Sequence, residues 1–153
     1  MKKRTTQVAA LAIRVEDDGE INILLVSSRE TGRWVIPKGW PSKKMSDAKA
    51  AAREARQEAG VTGKVWRKPV GFYRYRKVLP ENSRILDVAV YVLWVRKQRK
   101  SWPEQKERTR IWTTLEDAAK LVREPGLKRL LAELQAETRA ALRALQQEDS
   151  SVT

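Results

Sequence analysis

The spacing of apolar and polar positions changes period at definite points along the chain, and those changes predict its elements. Residues 7–14 and 21–27 are rich in β-formers and are split by the turn signal Glu16-Asp-Asp-Gly19, which predicts a first hairpin. Residues 34–36 read as a short strand stopped by Pro37, and 38–45 as a loop. From Ser46 the period becomes helical. Ser46 is an N-cap residue, Asp47 suits the first turn, and Gly60 closes the helix after Ala59. Its inner face carries Ala48, Ala51, Ala52, Ala55 and Ala59, small enough to approach a sheet closely.

Residues 65–70 and 72–78 read as strands, 80–82 as a turn, 85–95 as a long apolar strand and 109–113 as a further short one. Thr114, with Asp117 three residues on, caps a helix to about residue 123. Residues 126–147 read as one last amphipathic helix whose leucines and alanines pack a core. Residues 148–153 read as a flexible tail. With no repeat, linker or second domain, residues 1–147 are expected to form a single domain. Strands flanked by helices, one of them mid-chain, predict an α/β fold, an α/β/α sandwich around a mixed β-sheet.

Composition narrows the chemistry. A chain of 153 residues, 41% of them hydrophobic and six of them Trp, suits one core. No apolar run is long enough to span a membrane, and Lys2-Lys3-Arg4 leads into polar residues, so a cytosolic protein with no membrane partner is expected. There is no Cys and no His, which excludes disulfides, thiolate chemistry, imidazole bases and His-bound zinc. Carboxylates, a metal and Lys or Arg remain. The formal charge of +13 points to a polyanionic partner. Basic residues cluster at Lys2 to Arg4, Lys43-Lys44, Arg74 to Lys77, Arg96 to Lys100 and Arg108 to Arg110, interleaved with Trp66, Tyr73, Tyr75, Trp94, Trp102 and Trp112. Any one cluster taken alone reads as solvated surface.

One pair stands out on the mid-chain helix. Glu54 and Glu58 are spaced i,i+4, so they stack on one face, where like charges cost roughly 0.2 to 0.5 kcal/mol. Neither has a cation three or four residues away, so the counter-charge is expected to be an ion from outside. Mg2+ fits, because it takes oxygen ligands and binds through one or two carboxylates plus substrate phosphates. From spacing alone, two exposed glutamates on a surface helix fit equally well.

With its flanks, this stretch resembles the Nudix box. That pattern reads Gly, five residues, Glu, seven residues, Arg-Glu, an aliphatic residue, any residue, Glu-Glu, any residue, Gly, then an aliphatic residue. Gly39, Arg53, Glu54, Glu58, Gly60 and Val61 fall in register, with Ala55 at an aliphatic position. Met45 and Gln57 stand where the pattern has Glu. The resemblance covers roughly residues 4 to 135 and is nearest to the diphosphoinositol polyphosphate and diadenosine polyphosphate phosphohydrolases. It rests on Ile23-Leu-Leu-Val-Ser-Ser-Arg29, Arg33-Trp-Val-Ile-Pro37, Tyr91-Val-Leu, Trp102-Pro-Glu104, Arg108-Thr-Arg-Ile-Trp112 and Leu115-Glu-Asp-Ala-Ala. The Pro37-Lys-Gly-Trp-Pro41 variant is similar to a bacterial subgroup.

The resemblance implies a Nudix-type sandwich and a Mg2+-dependent pyrophosphohydrolase, with Mn2+ as the alternative metal. The implied substrate is a nucleoside polyphosphate such as a diadenosine polyphosphate, or one like a diphosphoinositol polyphosphate. Trimming of RNA 5′ ends, and a weakened nucleotide- or RNA-binding module, are the alternatives. It implies Glu54, Glu58 and the Gly39 carbonyl as metal ligands, and places the general base at Gln57. Glutamine positions a water but accepts no proton, so either another carboxylate substitutes, the enzyme is slow, or the residue is not native. Glu104 and Glu107 are candidate substitutes or an extra metal ligand, and read equally as charged loop residues beside Lys106 and Arg108. Arg53 orients the glutamates or is a surface cation. Ser27, Ser28, Arg29, Lys38, Arg84 and Arg108 are implied substrate contacts, arginine through its bidentate fork. Trp40 either stacks on a base or buttresses the loop. Arg29, Lys38, Arg84 and Arg108 are expected to converge on one metal site, so that the positive charge serves a compact polyphosphate rather than a long nucleic acid.

Overall fold

The computed structural model describes residues 6–151, so the Lys2 to Arg4 cluster lies outside the described residues. Its elements are β1 (Thr6–Val15), β2 (Ile21–Ser27), β3 (Trp34–Val35), β4 (Lys38–Gly39), α1 (Asp47–Ala59), β5 (Val61–Val65), β6 (Gly71–Val78), β7 (Ser83–Gln98), β8 (Arg110–Thr114), α2 (Leu115–Leu121), α3 (Pro125–Glu133) and α4 (Gln135–Ser151). The sheet is mixed. β1 runs parallel to β7, from Thr6 opposite Asp87 to Ile13 opposite Trp94, and antiparallel to β2 and β4. β8 and β3 pair with β2, and β5 and β6 with β7, all antiparallel.

Period-two alternation sorts β1 onto two cores. Leu11 and Ile13 join Ile23, Leu25, Val90 and Val92 beneath Leu115, Leu127, Leu131 and Leu145 of α2, α3 and α4. Val8, Ala10 and Ala12 face the opposite way, with Leu24, Tyr91 and Leu93, onto Ala48, Ala51, Ala55 and Ala59 of α1. Central strands covered on both faces read as continuous apolar runs, which is why β1 and β7 were legible. The α/β/α sandwich with a mixed sheet is the expected one. Among the described residues, no helix is long and apolar enough to cross a membrane.

Several expected boundaries move. Residues 38–45 are not all loop, because Lys38–Gly39 pairs with β1. The strand expected at 65–70 lies earlier, at Val61–Val65, and carries a bulge between Thr62 and Gly63. A Cβ at Gly63 would collide with the Trp94 carbonyl, and Pro69 has no N–H to donate, so the β signal of this region misled the reading. α2 stops at Leu121 because buried Val122 turns to extended backbone. The single helix expected over 126–147 is two, broken at Leu134, which is buried. Neither Gly nor Pro marks that break, so packing imposes it. α4 then continues to Ser151, past the point where a tail was expected, and Asp149 pairs with Arg96 (3.0 Å) and Lys64 (3.4 Å).

Candidate active site

The site is built around α1. Ser46 caps its start, accepting from the Lys49 N–H at 3.2 Å, and Gly60 ends it with φ of 68°, the left-handed value that favours glycine. A helix end leaves carbonyls without intrahelical partners, and here one segment supplies them. The Glu104 N–H donates to the Gln57 carbonyl (3.2 Å), Trp102 Nε1 to that of Glu58 (2.9 Å), Arg110 Nη1 to that of Ala59 (2.7 Å), and the Arg99 N–H to that of Gly60 (2.8 Å). The Arg110 guanidinium lies 3.9 Å from the Trp102 ring centroid. The segment from β7 to β8 therefore fixes the end of α1 that carries Glu58.

Glu54 and Glu58 project towards β4, where a Cβ at Gly39 would strike the Glu54 carboxyl. A side chain there would push the end of Glu54 aside. The expectation that the counter-charge is an ion from outside needs correcting, because Arg108 reaches the pair from the loop before β8 and Arg53 from the position next to Glu54. Arg108 Nη2 lies 3.5 Å from Glu58 with both side chains almost buried, and Arg53 Nε lies 3.4 Å from Glu54. Arg108 also donates to Glu104 (2.8 Å) and to the Ser27 carbonyl (3.1 Å). Arg53 also donates to the Trp40 carbonyl at 3.3 Å, tying α1 to the loop before it.

Burial pushes the Glu58 carboxyl up to about 8; Arg108 opposes this and the Glu54 charge adds to it. Burial raises Glu54 too, offset by Arg53 and by a hydrogen bond with Glu58. Burial thus favours the protonated form of both carboxyls. Lys38 is held below its ordinary value by burial, with Glu58 pulling the other way. Among the described residues, no three acidic side chains converge on a metal-sized point. Two carboxyls beside Gly39 nevertheless suit Mg2+, which takes few protein ligands and completes its shell with water and phosphate oxygens.

These groups line a cavity of about 390 Å3. Of the sequence candidates, Gly39, Glu54, Glu58, Glu104, Ser28, Arg29, Lys38 and Arg108 line it. Trp40 also lines it and is 46% exposed. Others do not converge. Gln57 is exposed and is not among the lining residues, because a helix turns about 100° per residue and carries it away from Glu58. Ser27 is structural, its hydroxyl accepting from the Thr109 N–H at 2.8 Å. Glu107 is exposed and pairs with Arg29 at 3.4 Å. Arg84, expected as a substrate contact, lies outside the lining; its strand partner Lys77 takes that place.

The far wall escaped the sequence reading. Tyr73, Tyr75 and Lys77 share one face of β6 by alternation, and Tyr75 donates its hydroxyl to Gln7 at 2.7 Å. Lys38 Nζ lies 5.1 Å from the Tyr75 ring centroid. The alternation was the available signal for β6. Nothing local marks Gln7 or Arg123, which also line the cavity.

The NUDIX domain model matches residues 5–134. The chain is 34% identical over 117 residues to Nudix hydrolase 16, mitochondrial, of Arabidopsis thaliana, covering 74% of this chain and 64% of that protein. It is 34% identical over 123 residues to diphosphoinositol polyphosphate phosphohydrolase 3-beta of Bos taurus, covering 79% and 69%. The chain thus spans just under two thirds of the Arabidopsis relative's length. A crystal structure of a C. elegans Ap4A hydrolase superposes with a TM-score of 0.60 at 19% identity, covering 88% of this chain and 98% of that one, and shares the fold.

Proposed function

The chain belongs to the Nudix family, and we propose that it is a Mg2+-dependent pyrophosphohydrolase that cleaves a phosphoanhydride bond of a nucleoside polyphosphate such as a diadenosine polyphosphate. The observation that carries this reading is the Glu54–Glu58 pair on one face of α1 against Gly39, in a cavity whose other walls carry more cations than anions. Trp34, Trp40 and Tyr75 add aromatic surface for a base. That surface favours a nucleotide over a diphosphoinositol polyphosphate, whose saturated inositol ring has no π-face to stack.

Glu54, Glu58 and the Gly39 carbonyl would hold Mg2+, which would supply charge neutralisation to the bridging phosphates. The chain's own groups do the rest. Arg29, Lys38 and Lys77 hold phosphate oxygens, arginine through its planar fork. Arg108 anchors Glu104 and Glu58 at the cavity wall. Glu104, which faces the cavity, takes the proton of the attacking water as its oxygen bonds to phosphorus, and the bridging oxygen leaves with the other phosphate. Placing the base there follows from Gln57 lying outside the cavity.

The test is a panel of a dinucleoside polyphosphate, a diphosphoinositol polyphosphate and a 5′-triphosphorylated RNA, each with Mg2+ and with EDTA. Fastest hydrolysis of the dinucleoside polyphosphate, abolished by EDTA, is expected. Binding of all three without turnover would overturn the enzyme reading, and preference for either other substrate would overturn the substrate assignment.

A further inference from the structure

The cavity uses a minority of the chain's 32 Lys and Arg residues, and many of the remainder gather on one surface. The outer face of α1 exposes Lys49, Arg53 and Arg56, spaced i, i+4 and i+7, so they form a stripe about 10 Å long. Lys43 and Lys44 extend it at the start of the helix. At the other end, the bond between the Arg99 N–H and the Gly60 carbonyl brings Lys97, Arg99 and Lys100 alongside.

A few cations elsewhere on the surface are matched: Arg67 with Glu148, Arg74 with Asp87, Arg96 with Asp149. Along the stripe Arg53 pairs with Glu54, and the other described cations lack such a partner. Among the described residues, Lys43, Lys44, Lys49, Arg56, Lys97, Arg99 and Lys100 make no ion pair. The one carboxylate on the exposed face of α1 is Asp47, in the first turn. Like charges set side by side repel, and a surface that keeps them unpaired suits a polyanion from outside. At the cavity mouth the stripe meets Trp40, whose carbonyl Arg53 holds at 3.3 Å and whose side chain is 46% exposed.

We propose that this face, from Lys43 through α1 to Lys100, binds single-stranded nucleic acid. A cationic track with an exposed aromatic platform at its end is the arrangement such strands use, phosphates on the cations and an unstacked base on the ring. A duplex offers no free base face to Trp40. An anionic membrane surface is the poorer fit, because such binding needs apolar groups to insert. The exposed Phe72, Val78 and Ile85 lie on the β6–β7 hairpin instead. The cationic track lies outside the cavity and shares only Trp40 with its lining, and the inference does not depend on hydrolysis there.

The test measures binding of the whole chain to a labelled 20-nucleotide RNA with a 5′-hydroxyl, which has no phosphoanhydride to cleave, in EDTA and across salt. The log-log slope should be about −0.7 for each phosphate contacted, so about −3 or steeper for this track. Changing Lys49, Arg56, Lys97, Arg99 and Lys100 together to Gln should weaken binding by about tenfold or more and flatten the slope. Hydrolysis of a dinucleoside polyphosphate by that variant should stay unchanged, separating this surface from the cavity reading. A single change, Lys49→Glu with Arg56 intact, guards against misfolding of the multiple variant and should weaken binding in the same direction. A slope shallower than about −1, equal affinity in both variants, or binding to phosphatidylserine vesicles in place of RNA would overturn the proposal.

Discussion

Trp102 Nε1 donates to the main-chain carbonyl of Glu58 at 2.9 Å, so a residue more than forty positions downstream holds the last turn of the helix that carries the acidic pair. The same ring lies beneath Arg110, which bonds the next carbonyl. Trp102→Phe keeps an aromatic ring and removes the donor, leaving a partly buried carbonyl without its partner. Stability should fall by about 1 kcal/mol, the usual scale of one hydrogen bond, and Mn2+ affinity should fall with it. Thermal unfolding with and without Mn2+ measures both; a destabilised variant with unaltered Mn2+ affinity would show that Trp102 does not position Glu58.

Glu54 and Glu58 should carry divalent metal binding. Glu54→Gln and Glu58→Gln keep the shape and hydrogen bonding of the side chains and remove the charge. Each should weaken Mg2+ and Mn2+ binding at least severalfold in titration calorimetry. Unchanged affinity in both variants would rule out the pair as a metal site.

Metal binding should also release a proton. Burial pushes Glu58 up to about 8, so below that pH a cation must displace its proton. Apparent Mg2+ affinity should therefore rise towards pH 8, by at most about tenfold per pH unit, and then level off. Without metal the sign reverses. Glu58 binds its proton more tightly folded than unfolded, so its contribution is full below its ordinary value of 4.5 and is lost as pH rises through about 8. Metal-free melting temperature should fall across that window, and Glu58→Gln should flatten the fall.

Much of this was legible because it is local. The cap at Ser46, the left-handed close at Gly60, the i,i+4 glutamates and the apolar runs of β1 and β7 are each set by neighbours in sequence. What escaped was set by distance. Arg108 reaches Glu58 across fifty residues, so no window of sequence could show that Glu58 has a protein counter-charge. Lys77 and Arg84 sit opposite each other on one hairpin, and only the sheet's facing decides that Lys77 enters the cavity. The break at Leu134 follows from packing, since the amphipathic pattern runs on through it.

Gln57 is the sharpest of these differences. Its place in the motif marks it as the general base, yet its side chain is exposed and outside the cavity that Glu54, Glu58 and Glu104 line. Gln57→Glu should therefore change kcat by less than about threefold, whereas Glu104→Gln should lower it by about 10²- to 10⁴-fold, the scale of a lost general base. Glu107→Gln, outside the cavity and exposed, should be nearly silent. Loss of Glu104 also frees Arg108, whose Nε it holds at 2.8 Å, so KM must be measured beside kcat. A base loss lowers kcat and flattens the acidic limb of the pH profile, while a misplaced Arg108 raises KM. A rise of about 10² in kcat for Gln57→Glu, with Glu104→Gln fully active, would return the base to the helix.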